Sequence, residues 1–400
     1  MIEDDIDLVK QKHEQLDALL SNMKADCWVT FCREGNDPST LLFTGYPMVG
    51  ESGFVFLPSG ESYAIVANYD EMAIDELGVF DEIIAYDMEG IDEHLKSLID
   101  KISPEKIALN YSKEEFLTDG LSHGMFNRLA DILGMDDLVD RSVSSRPVLE
   151  RLRAKKTPIE LDRIGKAVEI TGKIFDEVAE FAEAGMTERE VCDYIEKRQS
   201  HYETPAVGDY GAAVCTGKIG IGHRSPGDYP LDPGDVVSID MGVYYKGYCS
   251  DYTRTYYVLR EGETKPPGEF RERFQITYDA THKAIEAMEP GKMGHEIDEI
   301  ARNHMKDNGI EPYNNALGHQ IGRRVHDGGG LLSPLVQRYG EKGKIPLEEG
   351  NVYTVEPFIY SKTDEDGAPP IGLEEDVVVT EDGVEVLSNP QQELICIKSA

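Results

Sequence analysis

An α/β domain followed by an α+β domain is the fold class predicted for this chain, and three observations carry the prediction. Its 400 residues exceed what one hydrophobic core usually organises. The first 145 residues alternate short apolar strands with amphipathic helical patterns, the signature of an α/β layer structure. The remainder runs helix, helix, hairpin and then helix, helix, strands again, as if one arrangement of elements were used twice.

In the first region, Cys27–Cys32, Gly53–Leu57, Tyr63–Asn68, Glu82–Tyr86 and Lys106–Asn110 read as strands. Helices are expected at Ile91–Ile102, where Leu95, Leu98, Ile99 and Ile102 share a face, and at Leu121–Leu133. The region has no glycine-rich phosphate loop and no cluster of catalytic residue types, so a scaffolding or oligomerisation role is expected of it. The polar and basic stretch Ser142–Lys156 marks the boundary, giving domains 1–150 and 151–400.

The second region opens on Thr157-Pro158-Ile159-Glu160, with Thr at N-cap, Pro at N1 and Glu at N3 closing a capping box. A second box, Thr187-x-x-Glu190, opens the next helix. Strands are expected at Ala212–Cys215, Val236–Tyr245, Tyr252–Leu259, Val352–Ile359 and Asp376–Thr380, with helices at Phe270–Met288 and His295–Asn308 between them.

Seventy-six acidic against 40 basic residues give a net charge of −36. Such a surface repels nucleic acid. The acids are spread along the chain, as in Asp136–Asp140 and Asp364–Asp366, rather than gathered in a tail. This suits a cytosolic protein of a salt-rich cell, whose self-repulsion is screened by salt; a stability optimum in low salt would contradict it. No apolar run approaches the length of a membrane span, and a soluble, cytoplasmic protein is expected. The six cysteines lack any CxxC spacing and read as reduced core thiols.

Chemistry concentrates in Val236–Thr255, where Asp240 and Asp251 interrupt apolar strands of an expected hairpin turning at Gly247. A buried carboxylate without a partner loses several kcal/mol of hydration, and two brought together repel unless a cation lies between them. Their spacing of eleven is odd, which places them on opposite faces of a single strand; in a hairpin the cross-strand register decides instead. Three further positions share the theme: His319 in Gly318-His319-Gln320-Ile321-Gly322, Glu356 within Val352-Tyr-Thr-Val-Glu-Pro-Phe-Ile, and Glu374 ahead of the valine run 377–379. Taken singly, each is more often a structural residue. As a set, four carboxylates and one imidazole suit a dinuclear site for Mn, Co, Fe or Zn.

Asp240, Asp251, His319, Glu356 and Glu374 resemble, in order, the five ligands of the pita-bread metallopeptidase family, which includes prolidases, aminopeptidase P, methionine aminopeptidases and the metal-free creatinases. SIDMGVYYKGYCSDYTRT resembles its first ligand motif, TVEPFIY its TxEPGxY and LEEDVVVT its (I/L)EDxVxVT. RAKKTPIELDRIGKA resembles the linker helix, and the first 145 residues the creatinase-type N-terminal domain.

The resemblance implies a pita-bread catalytic domain holding two divalent ions. Asp240 would bind one ion, Asp251 and Glu374 would bridge, and His319 and Glu356 would hold the second. A metal-bridging hydroxide would attack the scissile carbonyl, with Glu356 accepting and relaying its proton. His223 matches an outer imidazole and His326 one that contacts the substrate amide or leaving nitrogen. A small peptide substrate and a homodimer are likewise implied. Departures are Asn315, where His is usual; Gln320 and Arg323, where Gly and Leu are usual; and Gly372, where an Arg is usual. Arg323 or Arg324 is a candidate to replace that charge. The expected activity is an Xaa-Pro dipeptidase or aminopeptidase; the alternative is a pita-bread enzyme for a small non-peptide substrate, a compatible-solute amide hydrolase or an osmolyte lyase. Intact ligands disfavour a metal-free enzyme or a binding protein.

Overall fold

A computed structural model describes residues 3–207, 211–217, 224–359 and 370–399. The chain divides into Met1–Arg153 and Ala154–Ala400.

The first unit contains α1 (Glu3–Leu20), β1 (Cys27–Cys32), α2 (Leu41–Thr44), β2 (Ser52–Phe56), β3 (Ser62–Ala67), α3 (Asn68–Asp75), β4 (Glu82–Tyr86), α4 (Asp92–Ile102), β5 (Ile107–Leu109), α5 (His123–Leu133), α6 (Leu138–Arg141), β6 (Ser142–Ser144) and α7 (Arg146–Ala154). Six strands form one mixed sheet, ordered β4-β3-β2-β1-β5-β6. Its inner strands β3, β2, β1 and β5 are buried on both faces because both are covered. Val29, Phe31 and Ile65 pack with Leu95, Ile99 and Leu129 of α4 and α5. Trp28, Phe54 and Phe56 pack with Val9 and Leu16 of α1 and Leu149 and Leu152 of α7.

The short helices α2, α3 and α6 were not expected, and two larger features also differ from the expectation. Helix α1 was not anticipated, because its buried Leu8, Val9, Leu16 and Leu20 are diluted by charged residues. Ser142–Lys156, expected as a polar boundary, does contain the division between the units, at Arg153–Ala154, but it also supplies β6 and all of α7. The apolar spacing of Val148, Leu149 and Leu152 lets α7 cover the sheet despite its basic residues.

The second unit contains α8 (Pro158–Phe181), α9 (Glu188–His201), β7 (Ala213–Thr216), β8 (Val236–Met241), β9 (Tyr244–Tyr245), β10 (Tyr248–Cys249), β11 (Tyr252–Val258), α10 (Gly268–Glu286), α11 (Gly294–Asp307), β12 (Val352–Val355), β13 (Phe358–Ile359), β14 (Ile371–Gly372), β15 (Glu375–Thr380), β16 (Gly383–Val386) and β17 (Ile395–Ile397). Both capping boxes form: Thr157 Oγ1 accepts from Glu160 N while Glu160 Oε2 accepts from Thr157 N, and Thr187 and Glu190 repeat the pattern.

Two sheets carry the fold. One is ordered β17-β11-β8-β7; the other is β12-β15-β16, extended by the ribbon β13-β14. Helix α8 backs the first, where the hydroxyls of Tyr252 and Tyr256 donate to carbonyls of Val168 and Phe175. Helices α10 and α11 back the second: Ala280, Ala284, Ile297 and Ala301 pack on Tyr353, Val355, Val377 and Val379. Each sheet therefore buries one face under helices. Across their other sides the sheets are tied together, with Thr253 Oγ1 donating to Glu374 and Thr255 Oγ1 to the Gly372 carbonyl.

Candidate metal centre

The hairpin that carries the first two acids is settled by register. Thr253 pairs with Asp240 in the antiparallel β8-β11 ladder, and Asp251 lies two residues before Thr253. By strand alternation Asp251 therefore projects to the same side as Asp240, with no bulge required. Between them the chain makes the small hairpin β9-β10, whose two-residue turn, Lys246 and Gly247, is left-handed at both positions (φ 46° and 80°).

Glu356 and Glu374 are brought together by a second ladder. Val355 pairs with Glu375 and Phe358 with Gly372, in one unbroken register across an interruption of the strands. Glu356 therefore stands opposite Glu374. His319 enters along β12: Thr354 N donates to the His319 carbonyl (2.9 Å) and Glu356 N to that of Leu317 (2.7 Å). Gly318 makes this approach possible, since a Cβ there would overlap the Thr354 carbonyl.

The result is one acidic cluster around an imidazole. Nε2 of His319 lies 3.6 Å from Asp251 Oδ2 and 3.5 Å from Glu356 Oε1. Ligand atoms of Asp251, His319 and Glu374 all fall within 4.8 Å of one another. Burial pushes the Asp251 carboxyl well above the usual carboxylate range, and the charges of Asp240, Asp376 and Glu356 push it further. Glu374 is raised in the same way by burial, Asp251, Glu356 and Asp240. Glu356 is pushed up to about 8, first by burial and then by Asp240, against a weaker lowering by the Thr354 hydroxyl.

Asp251, Glu356 and Glu374, whose ionisation is opposed by burial and by neighbouring acids, are chemically suited to a divalent cation, which removes the repulsion and replaces lost hydration. Oxygen and imidazole donors without thiolate fit Mn, Fe, Co or Zn. The cysteines are free, and Cys249, the one nearest the cluster in sequence, is buried with its thiol pushed well up.

His326 is exposed, and its ring lies 4.3 Å from that of His319, centroid to centroid. His223 lies outside the described residues. Several contributors were not singled out in the sequence. Asp376 is fully buried and accepts from Asp251 N (3.0 Å); Thr253 donates to Glu374 Oε2 (2.8 Å); Thr354 accepts from His319 N (3.2 Å). Asp376 had a signal, an acid heading a run of valines, whereas the threonines had none beyond their place in the strands. Among the departures, Gln320 donates to the Tyr353 hydroxyl (3.0 Å), Arg323 lies over the Tyr248 ring (5.0 Å) and Arg324 hydrogen-bonds Tyr244.

No helix among the described residues is long and apolar enough to cross a membrane. The profile of metallopeptidase family M24 matches residues 162–381. The uncharacterized peptidase YqhT of Bacillus subtilis is 28% identical over 358 residues, 88% of this chain and 92% of that protein. Among solved structures, an Xaa-Pro dipeptidase from Bacillus anthracis superposes with a TM-score of 0.77 at 22% identity, over 97% of this chain and 100% of that one. An X-Pro aminopeptidase from Thermotoga maritima gives 0.72 at 25% identity, over 96% and 99%.

Proposed function

The chain belongs to metallopeptidase family M24, and from that premise we propose that it hydrolyses Xaa-Pro peptide bonds with two divalent ions. The reading is carried by one observation: the carboxylates of Asp251, Glu356 and Glu374 converge on the His319 imidazole, their proton affinities raised by burial and by neighbouring acids, Asp240 among them. Asp240 would hold one ion, His319 and Glu356 the other, and Asp251 and Glu374 would lie between the two. Divalent ions so held supply Lewis acidity, lowering the pKa of water and stabilising negative charge on the carbonyl oxygen.

The chain's own residues do the rest. Glu356 accepts a proton from the attacking water and returns it to the leaving nitrogen, its carboxyl oriented by the Thr354 hydroxyl (3.5 Å). Thr253 and Asp376 orient Glu374 and Asp251, one by donating to the Glu374 carboxylate and the other by accepting from the Asp251 main chain. His326, on the exposed side of His319, hydrogen-bonds the substrate amide. His223 is assigned the outer imidazole position from the sequence.

The test is removal of metal by dialysis against a chelator, followed by restoration with Mn, Co, Zn or Fe. Elemental analysis is expected to give two ions per chain, and activity on Xaa-Pro dipeptides or longer Xaa-Pro peptides should vanish and return with them. Full turnover in metal-free protein, or no turnover of any proline peptide by the loaded one, overturns the proposal.

A further inference from the structure

His326 is an exposed residue, yet its ring stands 4.3 Å from that of His319, centroid to centroid. Exposed side chains change rotamer freely, so a steady placement has to come from the chain that carries them. That chain is a closed turn. Asp327 N donates to the Gln320 carbonyl (2.8 Å), which brings the backbone back beside His319. Inside the turn, Gly322 N donates to the Arg324 carbonyl (3.1 Å), and the Gly322 carbonyl accepts from Cys249 N of β10 (2.9 Å).

The neighbour of His326 is anchored from the opposite direction. Asp327 Oδ2 lies 3.1 Å from Lys156 Nζ, and the two side chains are 3% and 1% exposed. Lys156 is itself fixed: its N–H donates to the Gly350 carbonyl (2.9 Å), Gly350 N donates to that of Val379 (2.9 Å), and the capped start of α8 follows at once. The pair is packed on Gly322, where a Cβ would overlap Asp327 Oδ2 and the Lys156 Cε and Nζ atoms. Burying two charges costs hydration that their attraction only partly returns, so such a pair is a poor source of stability. What it supplies well is registry, here between the start of α8 and a residue 171 positions away.

We propose that Lys156 is a positioning residue for His326, acting through Asp327 to hold the 322–327 turn so that the imidazole stays against His319. This rests on the role given to His326 above and deepens it by naming what keeps that group in place.

The experiment follows cleavage of Ala-Pro and Ala-Pro-Gly, and metal content, in wild type, Lys156→Met, His326→Ala and Lys156→Met/His326→Ala. Nuclear magnetic resonance of histidine-labelled protein, with and without zinc, supplies a readout independent of turnover. Lys156→Met should lower kcat by about a hundredfold, as expected when a working group is slightly misplaced, with a smaller change in KM and wild-type metal content. In the His326→Ala background the same substitution should cost nothing further, because residues acting as a unit do not add. The His326 resonance, identified by its loss in His326→Ala, should move toward that of free histidine and lose its cross-peak to His319. Should Lys156→Met fail to fold, Lys156→Met/Asp327→Leu takes its place, since an apolar pair keeps the fold without the tether, and the same losses are expected. If peptides are cleaved but the His326 resonance stays where it was, or the two losses multiply, Lys156 does not position His326 and the proposed function stands. If wild type cleaves nothing but the resonance moves as described, the positioning stands and the proposed function falls. Absence of both effects overturns both.

Discussion

Glu374 and Glu375 are adjacent, both buried, and handled in opposite ways. The carboxylate of Glu375 receives Arg254 Nη2 at 2.9 Å, the Ser388 hydroxyl and the Gln391 amide at 3.3 Å. Glu374 receives the Thr253 hydroxyl, yet its charged neighbours are acids that resist its ionisation. One carboxylate has a compensating cation built into the chain, which also donates to the Glu374 carbonyl (2.8 Å). For the other, the proposed metal ion would supply the compensation. The contrast separates two uses of a buried charge. The paired one holds strands in place; the deprived one is suited to a cation, at a cost to the stability of the metal-free protein.

The largest expected effect comes from breaking the deprived side. Glu374→Gln should lower kcat/KM by about a thousandfold or more, as expected when several kcal/mol of transition-state charge stabilisation are lost. Its metal content should drop, while its metal-free form melts higher than metal-free wild type. Glu374→Gln protein that keeps the wild-type metal content, or melts lower when stripped, would show that Glu374 is not the deprived member of the two.

Breaking the paired side should act on folding instead. Arg254→Met strands Glu375 and should destabilise by about 3–5 kcal/mol, the usual result of removing one member of a buried pair. Adding Glu375→Gln should recover part of that loss in a denaturant double-mutant cycle. Strictly additive losses would mean the pair does not stabilise this region.

The smallest effect sharpens the comparison through pH. In metal-free protein the Glu356 carboxyl is raised from 4.5 to about 8, so between those values the folded state holds a proton that the unfolded state has released. Its stabilising contribution is complete below about pH 4.5 and is lost as pH rises through about 8. The melting temperature of chelated protein should therefore fall over that interval, and Glu356→Gln should flatten the slope. Metal-loaded protein should gain stability relative to the chelated form as pH rises, because binding displaces fewer protons. A chelated protein that grows steadily more stable up to pH 8 would contradict the raised proton affinity.

The sequence made the acids conspicuous because carboxylates in Val- and Ile-rich strands defy the local pattern. It left open whether Asp240 and Asp251 share a face, since eleven residues of separation say nothing about pairing across a turn. The Thr253–Asp240 pairing resolved that question. Helix α8 was legible down to its cap, because capping boxes are written in four consecutive residues. Helix α1 was not, because its apolar stripe is sparse and gains meaning only against the sheet it covers. Thr253 and Asp376 escaped notice for a similar reason: their importance lies in the partners they meet.

The amino-acid sequence by itself determined the kinds of candidate ligand, their order along the chain, the surplus of negative charge and the local starts of helices. Each is a property of one residue or of a few neighbours. Tertiary structure decided which buried acid received an arginine and which was set among other acids, and it seated Phe358 on Gly372. Those outcomes depend on atoms far apart in the chain, as when Thr253 reaches Glu374 across 121 positions. Burial and electrostatic environment do not exist until such distances close.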